Sequence, residues 1–211
     1  MSYNWPNMEV IPRHGLAAWH QHEPGVSANG LINDYSGNDR HLVAASNAPV
    51  LTDDIVNGQP GWYFNGSRNP LAWSGSVTLR HVFIVASFED EEFPSARGLM
   101  SGLTTGNILS TNGSGDKFAD TGADTYRLFG QQKDSNDQIA PVDGQIGLIE
   151  VVYDDGVALD GIQIGKKLEA SELHKGHFVE AISYEHVLGE MALLRVYQYI
   201  AMRYHIWQQG A

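Results

Sequence analysis

The sequence predicts an all-β domain closed by a single C-terminal helix, and three observations carry that expectation. Apolar runs rich in β-branched residues recur at Val77–Phe88, Gly147–Tyr153 and Phe178–Tyr184, the composition of buried strands. The 23 glycines are spread along the chain rather than clustered, which suits many short turns. Helical periodicity is confined to residues 190–204, where Leu193, Tyr197, Ile200, Ala201 and Tyr204 fall on one stripe.

Taken in order, residues 1–13 form an N-terminal arm, punctuated by Pro6 and Pro12, and residues 14–211 form one domain. His41–Ala45 reads as a strand, and Pro49-Val50-Leu51-Thr52 begins the next. Trp62-Tyr63-Phe64 leads into the turn dipeptide Asn65-Gly66. Strand alternation there sets Tyr63 on the face opposite to Trp62 and Phe64. Val77–Phe88 is long and apolar enough to be a central strand, buried on both faces in its middle. Tyr126–Phe129 reads as a short strand. Gly147–Tyr153 is a second long strand, with Ile149, Val151 and Tyr153 on one face, and Asp154-Asp155-Gly156 is expected to turn as a hairpin into Val157–Leu159. Phe178–Tyr184 is the last strand. The helix follows, with Arg203 and His205 near its negative pole.

Composition excludes several function classes. A net charge of −12 opposes nucleic-acid and anionic-membrane binding, both of which need a cationic face. With no cysteine there are no disulfides, thiolate metal sites or cysteine nucleophiles. No apolar run reaches the roughly 18 residues of a membrane span. The segment Met1–Pro6 lacks a basic region followed by an apolar one, so no secretory signal is expected. The expectation is synthesis in the cytoplasm and display on an extracellular assembly.

A set of short motifs occurs in a fixed order: Gly15-Leu16-Ala17-Ala18-Trp19, Asp34-Tyr35-Ser36-Gly37-Asn38-Asp39, Pro49-Val50-Leu51, Asn57-Gly58-Gln59-Pro60, Tyr63-Phe64-Asn65-Gly66-Ser67 and Ile182-Ser183-Tyr184. This order resembles the concanavalin A-like, laminin-G-like modules of bacteria and phages, over about residues 14–206. The resemblance implies a two-sheet antiparallel jelly-roll sandwich. It also implies a non-catalytic structural, decoration or adhesion module of a larger assembly such as a phage virion, with glycan-binding capacity. The alternatives are a free-standing lectin and, third, a glycoside hydrolase or lyase. The arm, through Trp5, Met8 and Ile11, is the expected contact to a capsid or other virion protein.

The residues bear on three chemistries. Glycosidases need two facing carboxylates, about 5 Å apart for retention and wider for inversion. Glu89-Asp90-Glu91-Glu92 is contiguous and loop-like, Glu150 is a lone acid inside its strand, and no Gly-x-Ser-x-Gly elbow occurs. No catalytic residue is therefore assigned. Calcium wants several hard oxygen ligands, and Asp34, Asn38 and Asp39 in one turn are its candidates; the competing reading is that Asp34 and Ser36 bond their own backbone and shape the turn. His20 and His22 fall on one strand face but lack a third zinc ligand. For glycans, rings that stack on sugars and side chains that bind hydroxyls single out Tyr63, Trp73, Tyr126, Arg127 and Asn136.

Overall fold

The computed structural model describes residues 11–22, 30–44, 46–89, 98–111, 122–133, 145–166, 168 and 173–206. Twelve strands lie among them: β1 (Leu16–Gln21), β2 (Leu31–Asp34), β3 (Leu42–Val43), β4 (Val50–Val56), β5 (Gln59–Asn65) and β6 (Leu71–Ala86) in the first half. The second half adds β7 (Gly98–Ser101), β8 (Asn107–Ser110), β9 (Thr125–Leu128), β10 (Gln131–Lys133), β11 (Gly147–Ile164) and β12 (Lys175–Tyr184), then the helix α1 (Glu190–Tyr204). The architecture is an antiparallel all-β sandwich with one C-terminal helix.

Two long strands organise the sandwich. β6 pairs with β11 along both halves, first through Leu71–Leu79 against Val157–Ile164 and then through His81–Ala86 against Gly147–Val152. The second half of β6 also pairs with β12, and Ala72 in its first half pairs with Val43 of β3. Since β3, β2, β1 and β12 are joined in sequence, β6 closes a ring of hydrogen-bonded strands. The expected hairpin at Asp154-Asp155-Gly156 is corrected by this pairing: β11 runs straight through, with a bulge between Val152 and Val157. The reason is on the partner strand. Arg80 of β6 donates to the Asp154 carbonyl at 2.8 Å and reaches that of Asp155, so the extra residues loop out while β6 continues beside them.

Alternation sorts side chains into two apolar layers. Val82, Ile84 and Ala86 of β6 and Ile149, Val151 and Tyr153 of β11 fill the sandwich interior with Trp62 and Phe64. Phe83, Val85 and Leu148 face the other way and pack under Val196, Ile200 and Tyr204 of α1. The helix thus roofs the outer face of the β11–β6–β12–β1 surface. Its N-cap is Gly189, whose carbonyl accepts from the Ala192 and Leu193 N–H groups. It ends at His205 in the left-handed conformation, whose N–H returns to the Ala201 carbonyl at 2.9 Å. No helix among the described residues is long and apolar enough to cross a membrane.

The hairpin turns follow their sequence chemistry. Asn57 and Gly58, between β4 and β5, both have positive φ, as a two-residue turn of the I′ kind requires. Phe129 and Gly130 do the same between β9 and β10, although a phenylalanine is an unusual choice there.

Candidate functional site

The acidic turn after β2 is built around Asp34. Its carboxylate accepts from the Trp19, Ser36 and Arg40 N–H groups, each at 2.9 Å, and from the Ser36 hydroxyl at 2.8 Å. Burial opposes its ionisation, but these donors outweigh burial and hold its carboxyl below the ordinary range. Asn38 ties the turn to β1 by donating to the carbonyls of Leu16 and Ala17 at 2.9 Å, whereas Asp39 is exposed. Of the two readings of this motif, the turn-shaping one describes this hydrogen bonding. Among the described residues no group of three or more His, Asp or Glu is placed to hold a metal ion. His20 and His22 do share a face, the inner one: His20 donates through Nε2 to the Arg40 carbonyl at 2.8 Å, and His22 packs edge-on against Trp62. Burial lowers the His20 pKa.

The same turn aims Arg40 at a sequence-selected aromatic. Its guanidinium lies 5.2 Å from the Trp73 ring centroid, donates to the Ala17 carbonyl at 2.8 Å, and approaches Glu185 at 3.6 Å. Glu185 opens onto a groove of about 470 Å³ over the first half of β6 and the second half of β11. Ser76, Thr78, Thr105 and Asp160 supply its polar lining and Val77 and Leu159 its apolar part. Asp160 shapes one wall: its carboxylate accepts from the Leu103 and Thr104 N–H groups at 2.9 and 3.0 Å and from both threonine hydroxyls. The Thr104 donors, foremost among these, pull the Asp160 carboxyl far below its usual range. The result is a preorganised groove with the free hydroxyls of Ser76 and Thr78 and one outward carboxylate, flanked by an arginine stacked on a tryptophan.

The other candidates are dispersed. Tyr63 faces outward on β5, as expected, donates to Glu89 at 2.9 Å and sits 5.0 Å from the His177 ring on β12, away from the groove. Burial, with the Glu89 hydrogen bond, raises the Tyr63 pKa. Burial lowers that of His177, with Glu89 opposing. Tyr126 is corrected as a sugar platform: only 4% exposed, its ring belongs to the sandwich core, because alternation on β9 turns it inward. Arg127, the next residue, therefore points outward, and it is spent on Glu150. Asn136, Trp5 and Met8 lie outside the described residues. Ile11 is 2% exposed and packed in the layer beneath α1, so this arm residue is committed to the chain's own core.

Sequence reasoning missed a polar layer under the helix. Glu150 is fully buried and accepts from His81 Nε2 at 2.8 Å, from Arg127 and from the Tyr197 hydroxyl. Burial alone would raise its pKa, but the hydrogen bonds from His81 and Tyr197 and the nearby Arg127 charge reverse that. On β12, Glu180 accepts from Trp19 Nε1, from Tyr199 at 2.9 Å and from Tyr204. Glu150 and Glu180 lie on one face with β6 between them. Each is closed into its own network. The signal was present: an acid inside each of two apolar strands, and three tyrosines on the one helix.

No protein-family model matches the chain, and no curated protein matches it by sequence; the motif resemblance is joined by neither. Solved structures do match. Trypanosoma rangeli sialidase aligns with 92% of this chain at a TM-score of 0.52 and 11% identity. The same sialidase in complex with the inhibitor DANA aligns with 89% at 0.53 and 12%. A mutant of it displaying trans-sialidase activity aligns with 92% at 0.54 and 9%. The chain spans only about a third of the sialidase length, 33–34%. At these identities the similarity is one of fold alone.

Proposed function

We propose that this chain is a non-catalytic carbohydrate-binding module of the concanavalin A-like type, which takes a neutral glycan in the groove beside Trp73. The observation that carries the reading is the groove itself: the hydroxyls of Ser76 and Thr78 and the Glu185 carboxylate surround an apolar floor. That mixture suits a sugar ring, which offers hydroxyls at its rim and C–H groups on its faces. The fold likeness to sialidases is compatible with a role toward carbohydrate. The ligand's charge follows from electrostatics. Asp160 and Glu185 line the groove of a chain carrying −12 net, so a sialylated or sulfated glycan meets repulsion.

The non-catalytic part has its own support. A glycosidase needs one carboxyl whose pKa is raised so that it can give a proton. Asp160 is pulled in the opposite direction, and Glu150 and Glu180 are sealed beneath the helix. Calcium is not required by this reading, because protein donors already occupy Asp34. The assembly role, with a capsid or other virion protein as partner, rests on the motif resemblance alone.

The test is a glycan array probed with the purified protein, in calcium and in chelator, followed by titration of the best hit. The expected result is binding to a neutral glycan class, unchanged by chelator. Glu185→Ala should weaken it about tenfold or more, as loss of a charged hydrogen bond does. A silent array, or a Glu185→Ala protein that binds as wild type, would sink the assignment.

A further inference from the structure

We infer that the outer face of α1 is the contact surface for a second copy of this chain, in an isologous dimer. Most surface helices bury one stripe and expose a polar one. This helix buries Val196, Ile200 and Tyr204 and still exposes Met191 at 70%, Met202 at 55% and Leu194 at 48%. Residues 191, 194 and 202, at spacings of three and eight, lie along one side, so they make a ridge rather than scattered contacts. Beside the ridge lies an apolar groove of about 710 Å³, walled by Leu194, Ala201 and Met202 of the helix and by Phe129 and Leu148 opposite. Methionine and leucine at such a surface can repack to a partner's shape.

The partner is identified by self-complementarity and charge. A two-fold contact needs ridge and groove on the same patch of one subunit, and α1 carries both, sharing Leu194 and Met202. At −12 net, two copies repel over most of their surface. The helix is different: it bears one acid, Glu190, in its first turn, with Arg195 and Arg203 further along. Arg203 turns onto Tyr199 and the His22 carbonyl, so the outer side of the helix carries Glu190 and Arg195 alone, and two copies meet there without the repulsion that the rest of the surface imposes. None of the residues involved lines the Trp73 groove, so this inference stands whether or not the glycan reading holds.

The absence of cysteine makes the test clean. Sedimentation across a range of concentrations should show a monomer–dimer equilibrium, and Leu194→Asp should shift it to monomer with unchanged circular dichroism. A single cysteine introduced as Gln198→Cys, on the groove wall, should yield a disulfide-linked dimer under mild oxidation. The same change at exposed Val50 on β4 should not. Monomer at every concentration overturns the inference, and so does a dimer that survives Leu194→Asp. A Gln198→Cys protein that is monomeric and resists a thiol reagent also overturns it, assigning the groove to the chain's own segments.

Discussion

His81 and Glu150 meet at 2.8 Å on the outer face of two adjacent strands, and the geometry assigns the proton. The other ring nitrogen of His81 accepts from the Leu188 N–H at 3.1 Å, so Nε2 carries the hydrogen that points at the carboxylate. Leu188 immediately precedes the N-cap Gly189, and Tyr197, about two turns into the helix, donates to the same carboxylate. One buried acid on β11 thereby holds both the approach to α1 and its middle. Glu180 repeats the arrangement through Tyr199 and Tyr204 near the helix end.

Removing the Glu150 carboxylate strands the groups that face it. Glu150→Ala should cost about 3–5 kcal/mol, the usual loss when one partner of a buried ion pair is deleted. Tyr197→Phe, which removes one neutral donor, should cost about 1–3 kcal/mol. Combined, the two should cost clearly less than their sum, since they share one network. Urea unfolding of the three variants reads this directly. Strict additivity would show that the network does not hold the helix.

Acid should destabilise the protein in two stages. The His20 pKa is lowered by burial, so the unfolded chain binds this proton first as the pH drops below about 6.5. Stability is therefore full above that value and declines below it, and His177 adds in the same direction. Asp34 and Glu150 have lowered pKa values. Their contributions are complete above the unfolded values near 4 and are lost as the pH falls through the folded ones. Urea midpoints from pH 8 to pH 3 should show both declines, and His20→Gln should flatten the first. A constant midpoint between pH 7 and pH 5 would contradict the burial of His20.

The fold was legible where burial is periodic. Ile149, Val151 and Tyr153 share the inner face, Trp62 and Phe64 turn inward and Tyr63 outward, and the helix spans residues 190–204 as its stripe predicts. Reasoning from neighbours in sequence failed where a distant strand decides. Asp154-Asp155-Gly156 has hairpin composition, yet Arg80, 74 residues away, captures the Asp154 carbonyl and keeps β11 straight. Tyr126 and Arg127 could not be sorted into core and surface without knowing which face of β9 meets β11. The groove was invisible for the same reason: Ser76, Thr105, Asp160 and Glu185 are far apart in sequence and small or charged, and nothing local marks them as a set. Trp73 was the one residue of that neighbourhood that composition picked out.

Asp160 should order the loop between β7 and β8. It is the acceptor for the Leu103 and Thr104 N–H groups and the Thr104 and Thr105 hydroxyls. Asp160→Asn keeps the size but removes the charge and one acceptor oxygen. Amide exchange at Leu103 and Thr104 should speed up by about tenfold or more, because charge-assisted bonds that close the loop are lost. Global stability should change little, because the loop lies at the surface. Unchanged exchange would mean that the loop holds itself without this carboxylate.

Two glycines of positive φ separate backbone strain from crowding. Gly58, in the β4–β5 turn, has φ of +71° and open space where a Cβ would sit. Gly58→Ala should therefore cost about 1 kcal/mol, the left-handed penalty alone. Gly176 on β12 has φ of +137°, and a Cβ there would lie 2.2 Å from the Ser87 carbonyl oxygen. That oxygen is backbone at the end of β6, so it cannot swing away as a side chain would. Gly176→Ala must shift one of two central strands on top of the conformational cost, and should lose more than about 3 kcal/mol. In a domain of this size each kcal/mol moves Tm by roughly 2–4 °C, so thermal melts of the two variants should be well separated. Equal melts would mean that β12 and the end of β6 are not in the contact that closes the ring.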